Sequence, residues 1–190
     1  MKIFIIQIGN VDRKILSFIK EGIECSLQKE KCTILKDVIQ LPKNAYNHLR
    51  QQYKSRPLLN EVLSYALKLE RITKKRCIVL GVTKADIYAP GMNFIFGEAQ
   101  CPGKAAIISL FRLRPEFYGE KPNEKLFMER AAKEAVHEIG HTFGLRHCVN
   151  PLCVMYFSLH IYMTDRKLLK FCSGCSARIE HIRMISSQPN

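Results

Sequence analysis

Three histidines and one glutamate lie close together in the run from His137 to His147, which reads His-Glu-Ile-Gly-His-Thr-Phe-Gly-Leu-Arg-His. Positions i and i+4 lie one above the other on a helix, so His137 and His141 can direct their ring nitrogens to one metal ion. Gly144 can adopt the left-handed conformation that ends a helix, which lets the chain turn and bring His147 back as a third ligand. Three nitrogen ligands leave a tetrahedral zinc ion with one open position, which is typical of catalytic zinc.

The glutamate of this run, Glu138, is rotated by about 100° around the helix axis from His137, which places it beside the metal rather than on it. The simpler alternative is that the His-x-x-x-His pair is two exposed histidines or a structural metal site. That alternative requires the glutamate, the glycine and the third histidine to coincide by accident. The spacing therefore favours a catalytic zinc centre.

Four cysteines follow in two pairs, Cys148 with Cys153 and Cys172 with Cys175. Two pairs of thiolates separated by a loop suit a closed tetrahedral site for structural zinc. Disulfides, a redox Cys-x-x-Cys motif and unrelated buried thiols are the alternatives. Disulfides need an oxidising compartment, which nothing in the sequence indicates, and a redox motif normally opens a helix in a thioredoxin-like βαβ unit. Structural zinc is the favoured interpretation.

The two predicted zinc sites are neighbours in the sequence, because Cys148 directly follows His147. The structural ion would then hold the segment that carries the third catalytic ligand. The remaining cysteines have no ligand-like spacing: Cys25, Cys32, Cys77 and Cys101. Cys101 lies in a loop before the predicted active-site helix, where a thiol could reach the catalytic zinc as an inhibitory ligand, but turn formation is the default role of this loop.

The combined pattern from His137 to Cys175 resembles the archaemetzincins, which are metzincin-type zinc proteases with a second, cysteine-bound zinc ion. The resemblance extends upstream to three short segments: Gly81-Val82-Thr83, Asp86-Ile87-Tyr88 and Asn93-Phe94-Ile95-Phe96-Gly97. In metzincins an edge strand receives the extended peptide substrate. The resemblance assigns this role to the segment from Asn93 to Glu98, and the predicted substrate-binding residues are Asn93, Phe94, Ile95, Phe96 and Gly97.

The resemblance also implies a role for each matching residue near the metal sites. His137, His141 and His147 would bind the catalytic zinc ion, and Glu138 would be the general base. Met155 would supply the Met-turn, a methionine packed beneath the histidine ligands. The cysteines that would hold the structural zinc ion are Cys148, Cys153, Cys172 and Cys175. Tyr156 is interpreted as a packing residue, and whether it or Cys101 approaches the catalytic zinc stays open.

The elements before the histidine run alternate between strand and helix patterns. Buried strands are predicted at 2–8, 33–41 and 76–82, with intervening helices that begin after Asp12 and at Pro57. This order favours parallel pairing with right-handed crossovers. Two closely spaced strands at 93–97 and 104–113 favour an antiparallel edge. Asn123 is predicted to cap the long active-site helix, whose core stripe is Phe127, Ala131, Ala135, Ile139 and Phe143.

The predicted fold class is α/β (α+β) and metzincin-like. A twisted, mostly parallel sheet with one antiparallel edge strand is backed by helices, and these include the active-site helix. Residues 1–147 are expected to form an N-terminal subdomain and residues 148–190 a small, irregular and partly helical C-terminal subdomain, together making one catalytic domain. In the latter, a helical pattern at 165–183 is interrupted at Ser173-Gly174, and a tail is predicted from Ser186.

The composition of the 190 residues, 47% hydrophobic and 25% charged, is that of an ordinary globular chain. The apolar residues 3–6 are too few to span a bilayer, and no small-residue cleavage site follows them, so we expect no membrane partner and a cytoplasmic location. The net charge of +13 raises the question of nucleic-acid binding. However, the basic residues are spread along the chain without an aromatic-interleaved patch, so no nucleic-acid partner is expected.

The sequence thus predicts a monomeric zinc peptidase with two zinc ions per chain, one catalytic and one structural. It would hydrolyse peptide bonds in peptide or protein substrates, using a metal-activated water and Glu138 as the general base. The alternative is a catalytically silent, zinc-bound module that binds peptides or has a regulatory role. The intact Glu138 argues against this alternative.

Overall fold

A five-stranded sheet, a small three-stranded sheet and five α-helices make up the part of the chain described by the computed structural model, residues 1–28 and 30–186. The strands are β1 (Lys2–Ile8), β2 (Cys32–Ile39), β3 (Tyr46–Asn47), β4 (Gln52–Lys54), β5 (Cys77–Thr83), β6 (Ile87–Tyr88), β7 (Gly97–Ala99) and β8 (Ala105–Ser109). The helices are α1 (Arg13–Leu27), α2 (Ser55–Thr73), α3 (Glu124–Thr142), α4 (Ile161–Arg166) and α5 (Ser173–Ser186).

The main sheet has the strand order β2-β1-β5-β8-β7. Its first four strands are parallel, and β7 pairs antiparallel with β8 at one edge. The predicted mixed sheet with one antiparallel edge strand is therefore confirmed. Strands β3, β4 and β6 form the small second sheet, which the sequence did not predict because strands of two or three residues are too short for a periodic pattern.

Helices cover both faces of the main sheet. Side chains that alternate along β1, β5 and β8 enter two separate cores, as period-2 geometry requires. One core lies between the sheet and α1 and α3, and the second lies between the sheet and α2. The complete predicted stripe of α3 is buried in the first core: Phe127, Ala131, Ala135, Ile139 and Phe143. None of the described helices is long and apolar enough to cross a membrane.

Two helix starts follow the predicted capping residues. The side chain of Asp12 accepts a 2.8 Å hydrogen bond from the backbone N–H of Lys14 at the start of α1. Asn123 accepts one of 3.0 Å from Leu126 at the start of α3. Helix α2 begins two residues before the predicted Pro57. Pro57 still lies in the first turn, where a missing N–H breaks no helical hydrogen bond.

The predicted edge strand at 93–97 is wrong in its bounds, because β7 comprises only Gly97–Ala99. The carbonyl of Asn93 accepts hydrogen bonds from the side chains of Arg50 and Gln52, and the N–H of Ile95 donates to the carbonyl of Ile87. These bonds draw Asn93, Phe94 and Ile95 towards the small sheet. Phe96 precedes the strand and accepts a 2.8 Å bond from Ser109.

The predicted helix break at Ser173-Gly174 is also misplaced. Helix α4 ends at Arg166, residues 167–172 are not helical, and Ser173 and Gly174 begin α5. Lys167 leaves the helical conformation, and its side chain is completely buried against α3, which explains the earlier break.

The C-terminal segment shares its core with the rest of the chain. Val154, Met155, Ile161 and Ile179 belong to the same buried cluster as α1 and α3. The subdomain boundary at residue 147 stays a prediction. Residues 187–190 of the predicted tail lie outside the described residues.

Candidate metal centres

The end of α3 and the turn after it place the three histidines. His137 and His141 lie one turn apart on the last turns of α3, which ends at Thr142. Gly144 has a φ of 87°, in the left-handed region predicted for it, and its N–H donates a 2.7 Å bond to the carbonyl of His141. The chain therefore turns back, and the ring of His147 stacks on that of His137 with centroids 5.3 Å apart.

The ligand atoms of the three histidines are close enough for one metal ion. Nε2 of His137 and Nε2 of His141 are 3.2 Å apart, and one ring nitrogen from each of the three residues lies within 4.8 Å of the others. Two nitrogens bound tetrahedrally to zinc at about 2.0–2.1 Å are separated by about 3.3–3.4 Å. The donor set and its spacing fit zinc.

Backbone carbonyls orient two of the imidazole rings. Nδ1 of His137 lies 2.8 Å from the carbonyl oxygen of Val154, and Nδ1 of His141 lies 2.7 Å from that of Leu145. An Nδ1–H that donates to a carbonyl leaves the lone pair of Nε2 free for a metal ion. Burial and the neighbouring Lys167 lower the pKa of His137 well below its ordinary value. The neutral imidazole is the form that binds metal.

Glu138 lies beside this centre and is buried. Burial, followed by the negative charge of Glu134, raises its pKa well above the ordinary value of a glutamate. Strand β7 approaches it closely: a Cβ added to Gly97 would lie 2.6 Å from both Cγ and Oε1 of Glu138. Only glycine therefore fits beside the carboxylate in this conformation.

Met155 lies under the histidine helix. It is completely buried, and a Cβ at Gly140 of α3 would overlap its sulfur atom and crowd Phe171. Gly140 thus permits close contact between α3 and the segment that carries Met155. The role of Met155 as a Met-turn beneath the ligands stays a prediction.

The four cysteines predicted as ligands form a second cluster. Their sulfur atoms all lie within 4.8 Å of one another, and Sγ of Cys148 is 3.8 Å from Sγ of Cys172. Tetrahedral zinc with bonds of about 2.3 Å holds two sulfurs about 3.8 Å apart, whereas a disulfide needs about 2.0 Å. The N–H of Cys175 lowers the pKa of the Cys172 thiol to about 7, whereas burial raises the pKa of the Cys153 and Cys175 thiols. This cluster therefore fits a zinc site rather than disulfides.

The two clusters share a backbone segment. The N–H of Cys148 donates a 2.9 Å bond to the carbonyl of Met155, and Val154 donates a 3.0 Å bond to the carbonyl of Lys170. The carbonyl of Val154 in turn faces the ring of His137. The carbonyl that orients His137 therefore belongs to the segment between Cys153 and the Met155 carbonyl bonded by Cys148.

A cleft of about 260 Å³ opens in front of the histidines. Its lining combines the histidines and Glu138 with apolar side chains and parts of β7: Met92, Phe94, Ile95, Phe96, Gly97, Glu98, Ala99, Cys101, Glu134, Phe157, Ser158 and Leu159. Four of the five residues predicted to bind substrate, Phe94 to Gly97, line the cleft.

The sequence left open whether Cys101 or Tyr156 approaches the catalytic zinc. Cys101 lines the cleft, but its thiol donates to the carbonyl of Leu145 at 3.4 Å and is not part of the histidine cluster. Tyr156 forms a backbone bridge with Cys148 and is absent from the described residues that line the cleft.

Sequence reasoning missed a buried ion pair next to the site. Oε1 of Glu134 accepts bonds from Nζ of Lys167 at 2.8 Å and from the hydroxyl of Thr164 at 2.9 Å. One turn earlier, Arg130 forms a bidentate pair with Asp165. The position of Glu134, four residues before Glu138 on one helix face, is a signal that could have identified it. The sequence carries no comparable signal for Lys167.

The chain is similar to known proteins over nearly its whole length. The sequence model of peptidase family M54 matches residues 5–181. The archaemetzincin of Pyrococcus furiosus is 45% identical over 178 residues, which cover 94% of this chain and 92% of the relative. That of Methanocaldococcus jannaschii is 44% identical over 180 residues, covering 95% of this chain and 93% of the relative.

Solved structures show the same similarity. The crystal structure of an archaemetzincin from Methanopyrus kandleri has a TM-score of 0.81 and 34% identity, and the match covers 97% of this chain and 96% of that one. A zinc-dependent peptidase from Methanocorpusculum labreanum has a TM-score of 0.82 and 29% identity, with 93% and 99% covered.

Proposed function

The chain belongs to peptidase family M54, the archaemetzincins, and is a zinc metallopeptidase; on this premise we propose that it hydrolyses peptide bonds at the histidine centre with Glu138 as the general base. One observation carries the proposal. Ring nitrogens of three histidines lie within 4.8 Å of one another, those of His137 and His141 only 3.2 Å apart, and Glu138 lines the same cleft.

The chemistry divides between the metal and the protein. His137, His141 and His147 would hold the zinc ion, which would supply Lewis acidity to activate a water near neutral pH and to polarise the substrate carbonyl. Glu138 accepts the proton released from that water and transfers it to the leaving amine.

The edge strand β7 is the proposed substrate platform. Hydrogen-bonded pairs alternate along an antiparallel ladder. The N–H of Ser109 donates to the carbonyl of Phe96, and the N–H of Gln100 donates to that of Ala105, so Glu98 is the intervening residue whose backbone faces β8. The backbone groups of Gly97 and Ala99 then point to the open edge. A peptide that adds there as a strand would lie along the cleft.

Four cysteines are proposed to hold a second, structural zinc ion: Cys148, Cys153, Cys172 and Cys175. Their sulfur spacing and the absence of disulfides among the described residues support this assignment. Thiolate ligands also suit a reducing compartment, so a cytoplasmic location is part of the proposal. A monomer that acts on peptide or protein substrates completes the proposal.

Substitution of the general base tests the function. Glu138→Gln is nearly isosteric, and we expect it to retain both zinc ions while kcat on a peptide substrate falls by about 10²–10⁴-fold. Hydrolysis of a fluorogenic peptide library and zinc content of the purified protein are the measurements. Glu61→Gln, a matched change at an exposed position of α2, is the control. Full activity of Glu138→Gln would contradict the mechanism, and no hydrolysis by the unmodified zinc-loaded chain would favour the silent module.

A further inference from the structure

Glu98 lies between the two residues whose backbone faces the open edge of β7. Its partner in β8 is Ile107, which belongs to the core beneath α2, whereas the partner of Gly97 is Ile108, which belongs to the core beneath α3. Directly opposed residues of an antiparallel pair project to the same face of the sheet. The side chain of Glu98 therefore projects to the α2 face, one residue along the strand from the contact with Glu138.

The carboxylate of Glu98 is incompletely satisfied. Its Oε1 lies 3.0 Å from Nη2 of Arg56 on α2, whose side chain is 66% exposed, while the side chain of Glu98 is only 18% exposed. Its Oε2 is buried and has no hydrogen-bond partner among the described residues. A charged oxygen that is removed from water without a partner is destabilising. A cation from another molecule could supply the missing interaction.

The charge of the cleft is opposite to that of the whole chain. Although the chain carries a net charge of +13, the described residues that line the cleft include three glutamates and no lysine or arginine. Glu134 is paired with the buried Lys167, and Glu138 is the proposed base. Glu98 is the remaining carboxylate, and Arg56, the cation that it pairs with, is mostly in solvent.

We propose that Glu98 is a specificity-determining residue that binds a cationic group of the peptide, either a lysine or arginine side chain or a free N-terminal ammonium group. This inference rests on the proposed function, because it places the substrate as a strand on β7. The substrate residue directly opposite Glu98 then projects to the same face, where opposite charges attract. Arg56 competes for the same carboxylate and moves into solvent when the substrate cation binds.

A positional peptide library tests this preference with the full chain loaded with zinc at both centres. Each position of a fluorogenic peptide carries Lys, Gln or Glu in turn, in N-acetylated and free-amino forms. We expect one position at which Lys gives about fivefold higher kcat/KM than Gln. A preference that depends instead on the free amino group identifies the N-terminal ammonium as the cation.

Three variants link the preference to the residues. Glu98→Gln should remove the preference in kcat/KM for the Lys peptide over the Gln peptide, and Glu98→Lys should make the Glu peptide the preferred substrate. Arg56→Gln removes the competing cation and should increase the ratio, whereas Glu61→Gln, the matched exposed control, should leave it unchanged. The inference is overturned if the ratios of Glu98→Gln equal those of the unmodified chain at every position, or if no cationic preference exists.

A binding measurement separates this inference from the proposed function. Fluorescence anisotropy measures how tightly the same peptides bind to the Glu138→Gln variant and to the Glu138→Gln, Glu98→Gln double variant. The comparison reports the charge preference of binding without turnover. Cleavage without any dependence on Glu98 would overturn the inference and leave the peptidase function intact. Preferential binding of Lys peptides through Glu98 by a chain that cleaves none of them would support the inference and contradict the proposed function.

Discussion

The histidine centre borders an open cleft, whereas the cysteine centre is packed into the core behind it. His147 is exposed, and it lines the cleft together with His137 and His141. Cys153 and Cys175 are buried, and the other two cysteines are half-buried. Both clusters have the donor spacing of tetrahedral zinc. The difference lies in the fourth position: three protein ligands leave room for water and substrate, and four exclude both. The same metal can therefore serve catalysis at one centre and stability at the other.

The two centres also differ in how the chain assembles them. Two histidines come from one rigid helix, so their spacing is set before tertiary packing. The cysteines come from two segments that must meet, and backbone bonds between Val154 and Lys170 and between Leu168 and Leu152 join these segments. We infer that loss of the cysteine centre disturbs the fold, whereas loss of a histidine ligand disturbs mainly the reaction. The following predictions test this difference.

The largest effect is expected from Cys175→Ser. Removal of one of the four thiolates should release the structural zinc and lower the free energy of unfolding by about 5 kcal/mol or more, because metal binding contributes directly to folding. Zinc content and denaturant unfolding are the measurements, with Cys25→Ser, an exposed cysteine, as the control. Unchanged stability together with two bound zinc ions would remove the distinction between the centres.

A somewhat smaller effect is expected from Lys167→Met, which probes the ion pair between α3 and the C-terminal segment. Glu134 would be left buried without its cation, so the free energy of unfolding should fall by about 3–5 kcal/mol. Combining it with Glu134→Leu should restore most of the stability. The exposed Lys170→Met is the matched control. If the double variant is as unstable as the single one, the loss has a cause other than the unpaired charge.

At the histidine centre, His147→Ala should weaken catalytic zinc binding by about a hundredfold or more and abolish hydrolysis, since only two ligands remain. The structural zinc and the thermal midpoint should change little. Zinc titration against a chelator and calorimetry give the two quantities, and the exposed His160→Ala is the control. A large drop in the thermal midpoint would show that the catalytic centre also supports the fold.

The smallest effect is expected from Gly97→Ala, which adds a methyl group within 2.6 Å of the Glu138 carboxyl group. Accommodation of the methyl group should lower the free energy of unfolding by about 1–3 kcal/mol and lower kcat by about tenfold, with both zinc ions retained. Glu61→Gln, the exposed change on α2, is again the control. An unchanged kcat would show that the position of Glu138 tolerates displacement by the edge strand.

Much of the fold followed from local patterns. The buried strands and the capped helices α1 and α3 were predicted within a few residues, because hydrophobic period and capping residues act over short distances. The edge strand was placed too early, since the conformation at Asn93 depends on Arg50 and Gln52, which are more than 40 residues away. The helix break was misplaced for the same reason, because burial of Lys167 is a tertiary contact.

The sequence by itself determined the candidate donor atoms: the order of histidines, glutamate and cysteines predicts two zinc ligand sets, and the helix period brings His137 and His141 together. Only the tertiary structure decided what surrounds them. Gly97 against Glu138, Val154 against His137 and Glu134 against Lys167 join segments far apart in the chain. Ligand identity is a property of residue type and spacing, whereas orientation, charge and access to substrate arise from the packing of distant segments.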